Sequence, residues 1–342
     1  MTDIVNLHSD TQTRPTQAMR RAMAEAEVGD EQRGEDPTTR ALEERVAELL
    51  GHEAAVFLPS GTMCNGIAVR LHVRPGGDEI LLDRTSHPLN FESGGPAALS
   101  GAMVRPLDGE RGVFTASQVE AALRTPGDRY APRSRLVSVE QTSNMGGGRV
   151  WPLETVREVL AVARAHDLRA HLDGARLLNA VVATEVPASE WASGFDTAWI
   201  DLTKGLGCPV GAVLAGSREV VDEAWRLKQM WGGALRQSGI VAAAGLYALE
   251  HHVERLAEDH ANAQRLAEGL AAVPGVGIDP ATVDTNIVIF EVADPDGLCE
   301  ALHAWGVDMT PAGPRSVRAV THLDVDRAGI DRALAAVAAV LA

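Results

Sequence analysis

The segment DLTKGLGCPVGAVLAG, residues 201–216, sets a lysine between a threonine and a glycine and follows it with more glycines and a proline. Gly205, Gly207 and Gly211 spell G-x-G-x-x-x-G, so one reading is a nucleotide loop. A dinucleotide loop should open a helix within its glycines. Here Pro209 interrupts, and GAVLAG (211–216) has the composition of a further strand. A Walker A loop needs its lysine after G-x-x-x-x-G, which Lys204 does not satisfy. The competing reading is a lysine at a strand end, held by close glycine backbone so that its amine can attack a carbonyl. The plain alternative is a surface lysine on a loop.

Working outward, TAWIDL (197–202) leads into this lysine as a strand. AAVFL (54–58), EILLD (79–83), RLVSVE (135–140) and RAHLD (169–173) are further short apolar runs. Helical spacing falls between them, as in residues 38–50, where Leu42, Val46, Leu49 and Leu50 share a face and Gly51 marks the stop. Apolar strands alternating with helices predict an α/β fold with a largely parallel sheet covered on both faces. A long helical pattern over 236–272 precedes a different rhythm: strand NIVIFEV (286–292), a helix near 295–305, strand RSVRAVT (315–321) and a final helix. These features predict a large domain over 1–245 and a small C-terminal α/β domain over 246–342.

The chain has 342 residues, 45% hydrophobic and 23% charged, which suits a globular protein with a sizeable core. A formal net charge of -16 argues against nucleic acid and anionic membranes as partners. Cys64, Cys208 and Cys299 lie far apart and suggest no disulfide framework, which fits a reducing cytoplasm. The opening MTDIVNLHSD is acidic and poor in apolar residues, unlike a signal peptide, and no apolar stretch is long enough for a membrane span.

In open α/β sheets, ligands sit at the carboxyl ends of the strands. Three features fall there. Ser60-Gly61-Thr62 follows AAVFLP and opens a helix, so its backbone N–H groups could bind a phosphate; a simple N-cap is the alternative. Asp173 ends a strand in HLDGAR (171–176) and could hold a ribose, a metal or a protonated ring nitrogen, or merely cap a helix with Arg176 as its ion-pair partner. Lys204 is the third. A phosphate cradle, a carboxylate for a pyridinium nitrogen and a Schiff-base lysine together are what pyridoxal 5'-phosphate requires.

At this point the chain resembles the low-specificity threonine aldolases of the fold type I pyridoxal-phosphate enzymes. The matching stretches run in family order: NLHSDTQTRPT (6–16), GEDPTTRALE (34–43), LPSGTMCN (58–65), HLDGARLLNA (171–180), LTKGLGCPVGAVLAGS (202–217), GGALRQSGIVAAAGLYAL (232–249) and VRAVTHLDV (317–325). The resemblance implies that Lys204 carries the cofactor, Asp173 faces its pyridine nitrogen and His87 stacks on its ring. It implies that Gly61, Thr62 and Thr203 bind the phosphate, with Arg236 reaching a phosphate, its own or that of a neighbouring subunit. Ser9, Arg176 and Arg318 would grip a substrate carboxylate, and the assembly would be a homodimer or homotetramer. The implied reaction cleaves the Cα–Cβ bond of a β-hydroxy-α-amino acid to glycine and an aldehyde, with no metal, because the ring is the electron sink.

Three positions depart from the family pattern. His8 stands before Ser9 where the family has arginine. Arg33 stands where it has tyrosine, and Ser143, in EQTSN, where it has histidine. Arg33 and Ser143 would both face the reacting side chain. A cation at 33 suits a second acidic group, such as that of 3-hydroxyaspartate, and a serine at 143 cannot act as a base near neutral pH. Plain L-threonine is then expected to be a poor substrate, unless Arg33 simply points to solvent or pairs with Glu31 or Glu35. A β-eliminating lyase or an amino-acid racemase of the same fold would share Lys204 and Asp173. A non-catalytic ligand sensor is the alternative outside enzymes, and a nucleotide-dependent oxidoreductase is disfavoured by Pro209.

Overall fold

The strand that ends before Lys204 is followed by only ten residues, 202–211, before the next strand begins. That is too short for a crossover helix, so the second strand must return antiparallel. It does so in the computed structural model, which describes residues 4–342; the opening Met-Thr-Asp lies outside the described residues.

The strands are β1 Val5–Asn6, β2 Ala54–Leu58, β3 Asp78–Asp83, β4 Met103–Leu107, β5 Arg133–Glu140, β6 Arg169–Asp173, β7 Thr197–Asp201, β8 Ala212–Gly216, β9 Ile287–Glu291, β10 Val307–Asp308, β11 Thr310–Gly313 and β12 Ser316–Val320. Seven of them form one sheet in the order β2-β8-β7-β6-β5-β3-β4. The sheet is parallel except for β8, which runs against both β2 and β7. Strands β2, β3, β5, β6 and β7 therefore all finish on one edge.

Successive side chains of these strands enter opposite layers. In β2, Ala55 and Phe57 join a core with the helices Pro37–Leu50, Leu153–Ala165 and Gly239–His251, while Val56 and Leu58 join one with Gly61–His72 and Arg218–Met230. Burial on both faces explains why the strands read as continuous apolar runs rather than alternating ones. β4 escaped that reading because it is an edge strand, with Met103 exposed and Pro106 placed where no inner ladder needs its missing N–H.

Residues 263–337 build a second core around an antiparallel sheet ordered β11-β12-β9, with Ala263, Leu266, Ala267 and Leu270 packed against it. Val5 and Leu7 belong to it, because β1 pairs in parallel with β10. The helical pattern over 236–272 is two helices, Gly239–His251 and Leu256–Ala271, rather than one. The chain turns at His252, whose ring contacts the Leu206 carbonyl at 2.7 Å, and nothing like a glycine or proline marks the turn. No helix among the described residues is long and apolar enough to cross a membrane.

Candidate active site

A cavity of about 600 Å³ opens at the strand-end edge. Ser9, Gly61, Thr62, His87, Asp173, Arg176, Thr203, Lys204 and Arg318 all line it, brought from positions more than three hundred residues apart. Each arrives by a local device. Gly61 and Thr62 open the helix Gly61–His72, where Ser60 caps the Met63 N–H at 3.2 Å. The first-turn N–H groups of such a helix have no acceptor within it. Glycine is needed at 61, since a Cβ there would lie 2.3 Å from Trp199 Cη2.

Lys204 leaves β7 in a short 3-10 turn with φ +35°, a left-handed conformation uncommon outside glycine. Thr13 holds that turn by donating its hydroxyl to the Lys204 carbonyl at 2.7 Å. The Lys204 amine pairs with one oxygen of Asp201 and lies 5.8 Å from the centroid of the Trp199 ring. The other Asp201 oxygen accepts the Thr203 N–H at 2.7 Å and hydroxyl at 2.5 Å. The chain's other lysine, Lys228, is fully buried elsewhere, paired with Glu31 and 4.8 Å from the Trp225 ring.

Asp173 is buried at the end of β6. One of its oxygens accepts from Asn65 Nδ2 at 2.8 Å and the other from the Ala175 N–H at 3.1 Å. Burial pushes its pKa up. The Asn65 bond pulls it back, the Glu92 charge adds to the rise, and the net direction is upward. His87 begins the turn after β3. Its N–H donates to Glu140 at 2.8 Å, and its Nδ1 contacts Glu92 at 2.9 Å. Burial lowers the His87 pKa, but Glu92 and the charges of Asp173 and Glu140 outweigh it, so the imidazole shifts upward. Burial and the nearby Asp173 raise Glu140 to about 7.

The arginines differ in what they hold. Arg176 is buried against Asp10 with two short contacts, 2.8 Å from Nε and 2.6 Å from Nη2. Arg318, on β12, donates from Nη2 to Asn144 at 2.9 Å, while its buried Nε has no partner among the described residues. Burial and the adjacent Arg176 push the Arg318 pKa down to about 10.

Three of the residues singled out from the sequence are not in this cavity. Ser143 lies between two that are, Thr142 and Asn144, but its hydroxyl turns away to accept the Gly146 N–H at 3.2 Å. Arg33 is exposed and paired with Glu35 at 2.9 Å. Arg236 is exposed and paired with Asp30 at 2.9 Å, beside the same turn. Conversely, Asp10, Asn65, Glu92, Glu140, Asn144 and Trp199 went unnoticed. Asp10 and Asn65 lie within the quoted stretches NLHSDTQTRPT and LPSGTMCN, but nothing local distinguishes them from helix caps or solvated polar residues.

The fold and site together define a fold type I α/β enzyme framework, with a lysine, a buried carboxylate and a buried arginine converging on one cavity. The family described as beta-eliminating lyase matches residues 6–295, and the chain belongs to that family. It is 42% identical over 327 residues to the low specificity L-threonine aldolase of Escherichia coli K12, covering 95% of each protein. Among solved structures, a threonine aldolase from Leishmania major superposes with a TM-score of 0.86 at 20% identity, covering 98% of this chain and 99% of that one. A lysine-to-alanine variant of the serine palmitoyltransferase from S. paucimobilis, solved with a bound PLP-myriocin aldimine, gives a TM-score of 0.76 at 19% identity, covering 98% of this chain and 87% of that one.

Proposed function

We propose that this protein is a pyridoxal-phosphate-dependent aldehyde-lyase that cleaves the Cα–Cβ bond of a threonine- or allo-threonine-like β-hydroxy-α-amino acid, giving glycine and an aldehyde. The observation that carries this reading is the convergence of Lys204, Asp173 and Arg318 on one strand-end cavity. The residues present fit the cofactor. Asp173 is a buried carboxylate whose burial cost a protonated ring nitrogen would offset. The helix start at Gly61 and Thr62 offers backbone donors suited to a phosphate, with the Thr203 hydroxyl nearby. The buried, unpartnered Nε of half-buried Arg318 calls for an anionic acceptor such as a substrate carboxylate.

When bound, the cofactor supplies an electron sink for the bond at Cα. Lys204 would hold it covalently, with Asp201 keeping the amine in place beforehand. Asp173, ionised, would keep the ring nitrogen protonated. His87 would stack on the ring, steadied through Nδ1 by Glu92. Arg318 would fix the substrate carboxylate and so decide which bond at Cα stands across the ring. Arg176, already engaged by Asp10, would shape that pocket electrostatically more than by free donors. Ser9 lies at the same rim, but its hydroxyl caps the turn Asp10–Gln12 by accepting from the Thr11 N–H at 3.2 Å.

The same reading divides the chain into a cofactor-binding part (1–245) and a small C-terminal part (246–342), places it in the cytoplasm and makes it a homodimer or homotetramer. Arg236 would then reach the phosphate site of a neighbouring copy, while Arg33 pairs with Glu35 in its own chain, the alternative set beside its substrate role.

The test is direct. Borohydride treatment followed by mass spectrometry should find the pyridoxyl group on Lys204, and Lys204→Ala should fold but carry none. An adduct on Lys228 would overturn the assignment. Aldehyde release from β-hydroxy amino acids should accompany turnover; ammonia or the D-amino acid as sole product would instead mark an eliminating lyase or a racemase. Comparing kcat/KM for L-threonine, L-allo-threonine, phenylserine and 3-hydroxyaspartate, in the wild type and in Arg33→Tyr, decides the substrate class.

A further inference from the structure

Asn65 sits behind Asp173 with a choice of orientation that chemistry removes. One side of its amide faces two carboxylates, Asp173 at 2.8 Å and Glu92 at 2.8 Å, so that side must be the NH2. The other side receives Trp199 Nε1 at 2.9 Å, and an indole N–H only donates, so that side must be the oxygen. The same oxygen meets His171 Nε2 at 3.1 Å, which must therefore carry a proton.

The rest follows link by link. Burial holds the His171 imidazole neutral, with its pKa pushed down to about 3. With its proton on Nε2, Nδ1 is bare and accepts from the Thr197 hydroxyl at 2.8 Å. Having donated there, the Thr197 oxygen is left to accept from His72 Nε2 at 2.9 Å. Each donor in the series points toward Asp173.

Three sequence periods build the series. Asn65 and His72 are seven residues apart on the helix Gly61–His72, so they share a face two turns apart. His171 and Asp173 are two apart on β6, and Thr197 and Trp199 are two apart on β7. His171 and Thr197 are direct partners in the β6–β7 register. At its far end His72 lines a second cavity beside Arg74, Arg135 and Arg169, on the side of the sheet away from the strand-end edge.

We propose that His171, Thr197 and His72 are positioning residues, forming one polarised hydrogen-bond chain that locks the orientation of Asn65 and so presents Asp173 as an ionised acceptor. The proposal rests on the cofactor reading, because it gives the ionised Asp173 its task. The chain itself touches neither cofactor nor substrate. Its effect is electrostatic: aligned donors favour the carboxylate against the burial that opposes it.

The first measurement needs no bound cofactor. Nitrogen-15 NMR of the cofactor-free protein should show His171 as the neutral tautomer with Nε2 protonated and Nδ1 bare. A cationic His171, or a proton on Nδ1, would overturn the chain. The second measurement uses the holoenzyme. Thr197→Val keeps the side-chain shape and removes the link; it should lower kcat about tenfold, the scale of outer-shell losses, with KM within twofold. Thr197→Ser should restore the rate. His72→Leu should cost a similar factor alone and nothing more in the Thr197→Val background, while His72→Gln, which keeps a donor, should be rescued. Unchanged kcat in both Thr197→Val and His72→Leu, or fully independent effects of the two, would overturn the proposal. Should Thr197→Val fail to fold, the His72 pair carries the same comparison. If the wild type shows no pyridoxyl adduct on Lys204, it is the cofactor reading that fails; an adduct present with unchanged kcat in the variants defeats the chain alone.

Discussion

Asp10 takes two prongs of the Arg176 guanidinium, at 2.8 and 2.6 Å, and both side chains are almost wholly buried. Burial alone would raise the Asp10 carboxyl, but the charge and hydrogen bond of Arg176 outweigh it and hold the group well below the usual carboxylate range. A depressed carboxylate gives stability that is present above its unfolded value of 3.8 and is lost as pH falls through the folded value. Asp10→Asn should therefore cost about 3 kcal/mol by urea denaturation, since it leaves a buried guanidinium without its counter-charge. The loss should be constant from pH 5 to 8. A loss that appears only above neutral pH would contradict the assignment.

Arg318 differs from Arg176 in having a buried Nε with no partner among the described residues. Arg318→Leu should raise KM for amino-acid substrates roughly 10- to 100-fold, the scale of a lost charge-assisted hydrogen-bond pair. Cofactor affinity, measured by titrating the cofactor-free protein, should stay within a few-fold. Arg318→Lys should recover only part of the loss, because an ammonium cannot reproduce the planar fork. Equal KM values for wild type and Arg318→Leu would remove this residue from the carboxylate site.

Glu43 accepts the Phe57 N–H at 2.9 Å, and burial pushes its pKa up to about 7. A raised folded pKa means stability that is full below the unfolded value of 4.5 and declines as pH rises through 7. Glu43→Gln keeps the acceptor and removes the ionisation. It should be neutral at pH 5 and stabilising by about 2 kcal/mol at pH 8.5. Thermal melts of both proteins at the two pH values check this; a gain at pH 5 would show that packing, and not charge, is responsible.

Gly61 lies against the Trp199 ring so closely that a Cβ would sit 2.3 Å from Cη2. Trp199 cannot move without releasing Asn65, which it holds at 2.9 Å. Gly61→Ala should destabilise the protein by about 1–3 kcal/mol and weaken cofactor binding. Tryptophan fluorescence and a cofactor titration read the two effects separately. Wild-type affinity in this variant would mean that the helix start is not the phosphate cradle.

The strands around the site were legible because a sheet buried on both faces writes continuous apolar runs. AAVFL and RAHLD coincide with β2 and β6 residue for residue. β4 was not legible, since an edge strand carrying Pro106 lacks that signature. The break at His252 was hidden because its cause is a contact with Leu206, forty-six residues away. In the site, strand-end position pointed to Asp173 and Lys204, and helix-start composition to Gly61 and Thr62. Asn65, Asp10 and Trp199 stayed silent because their roles depend on partners across the fold: Asn65 looks like any polar residue in a helix until Trp199 and His171 are set beside it.

β1 pairs with β10 through Val5 and Val307, and just beyond β1 the chain delivers Ser9, Asp10 and Thr13 to the cavity and the lysine turn. A segment made early in synthesis thus finds its partner strand only about three hundred residues later. At ribosomal speeds of roughly 5–20 residues per second it waits unpaired for some tens of seconds. Through that interval the cavity lacks one wall, so the newborn chain can assemble its central sheet well before it can become a competent catalyst.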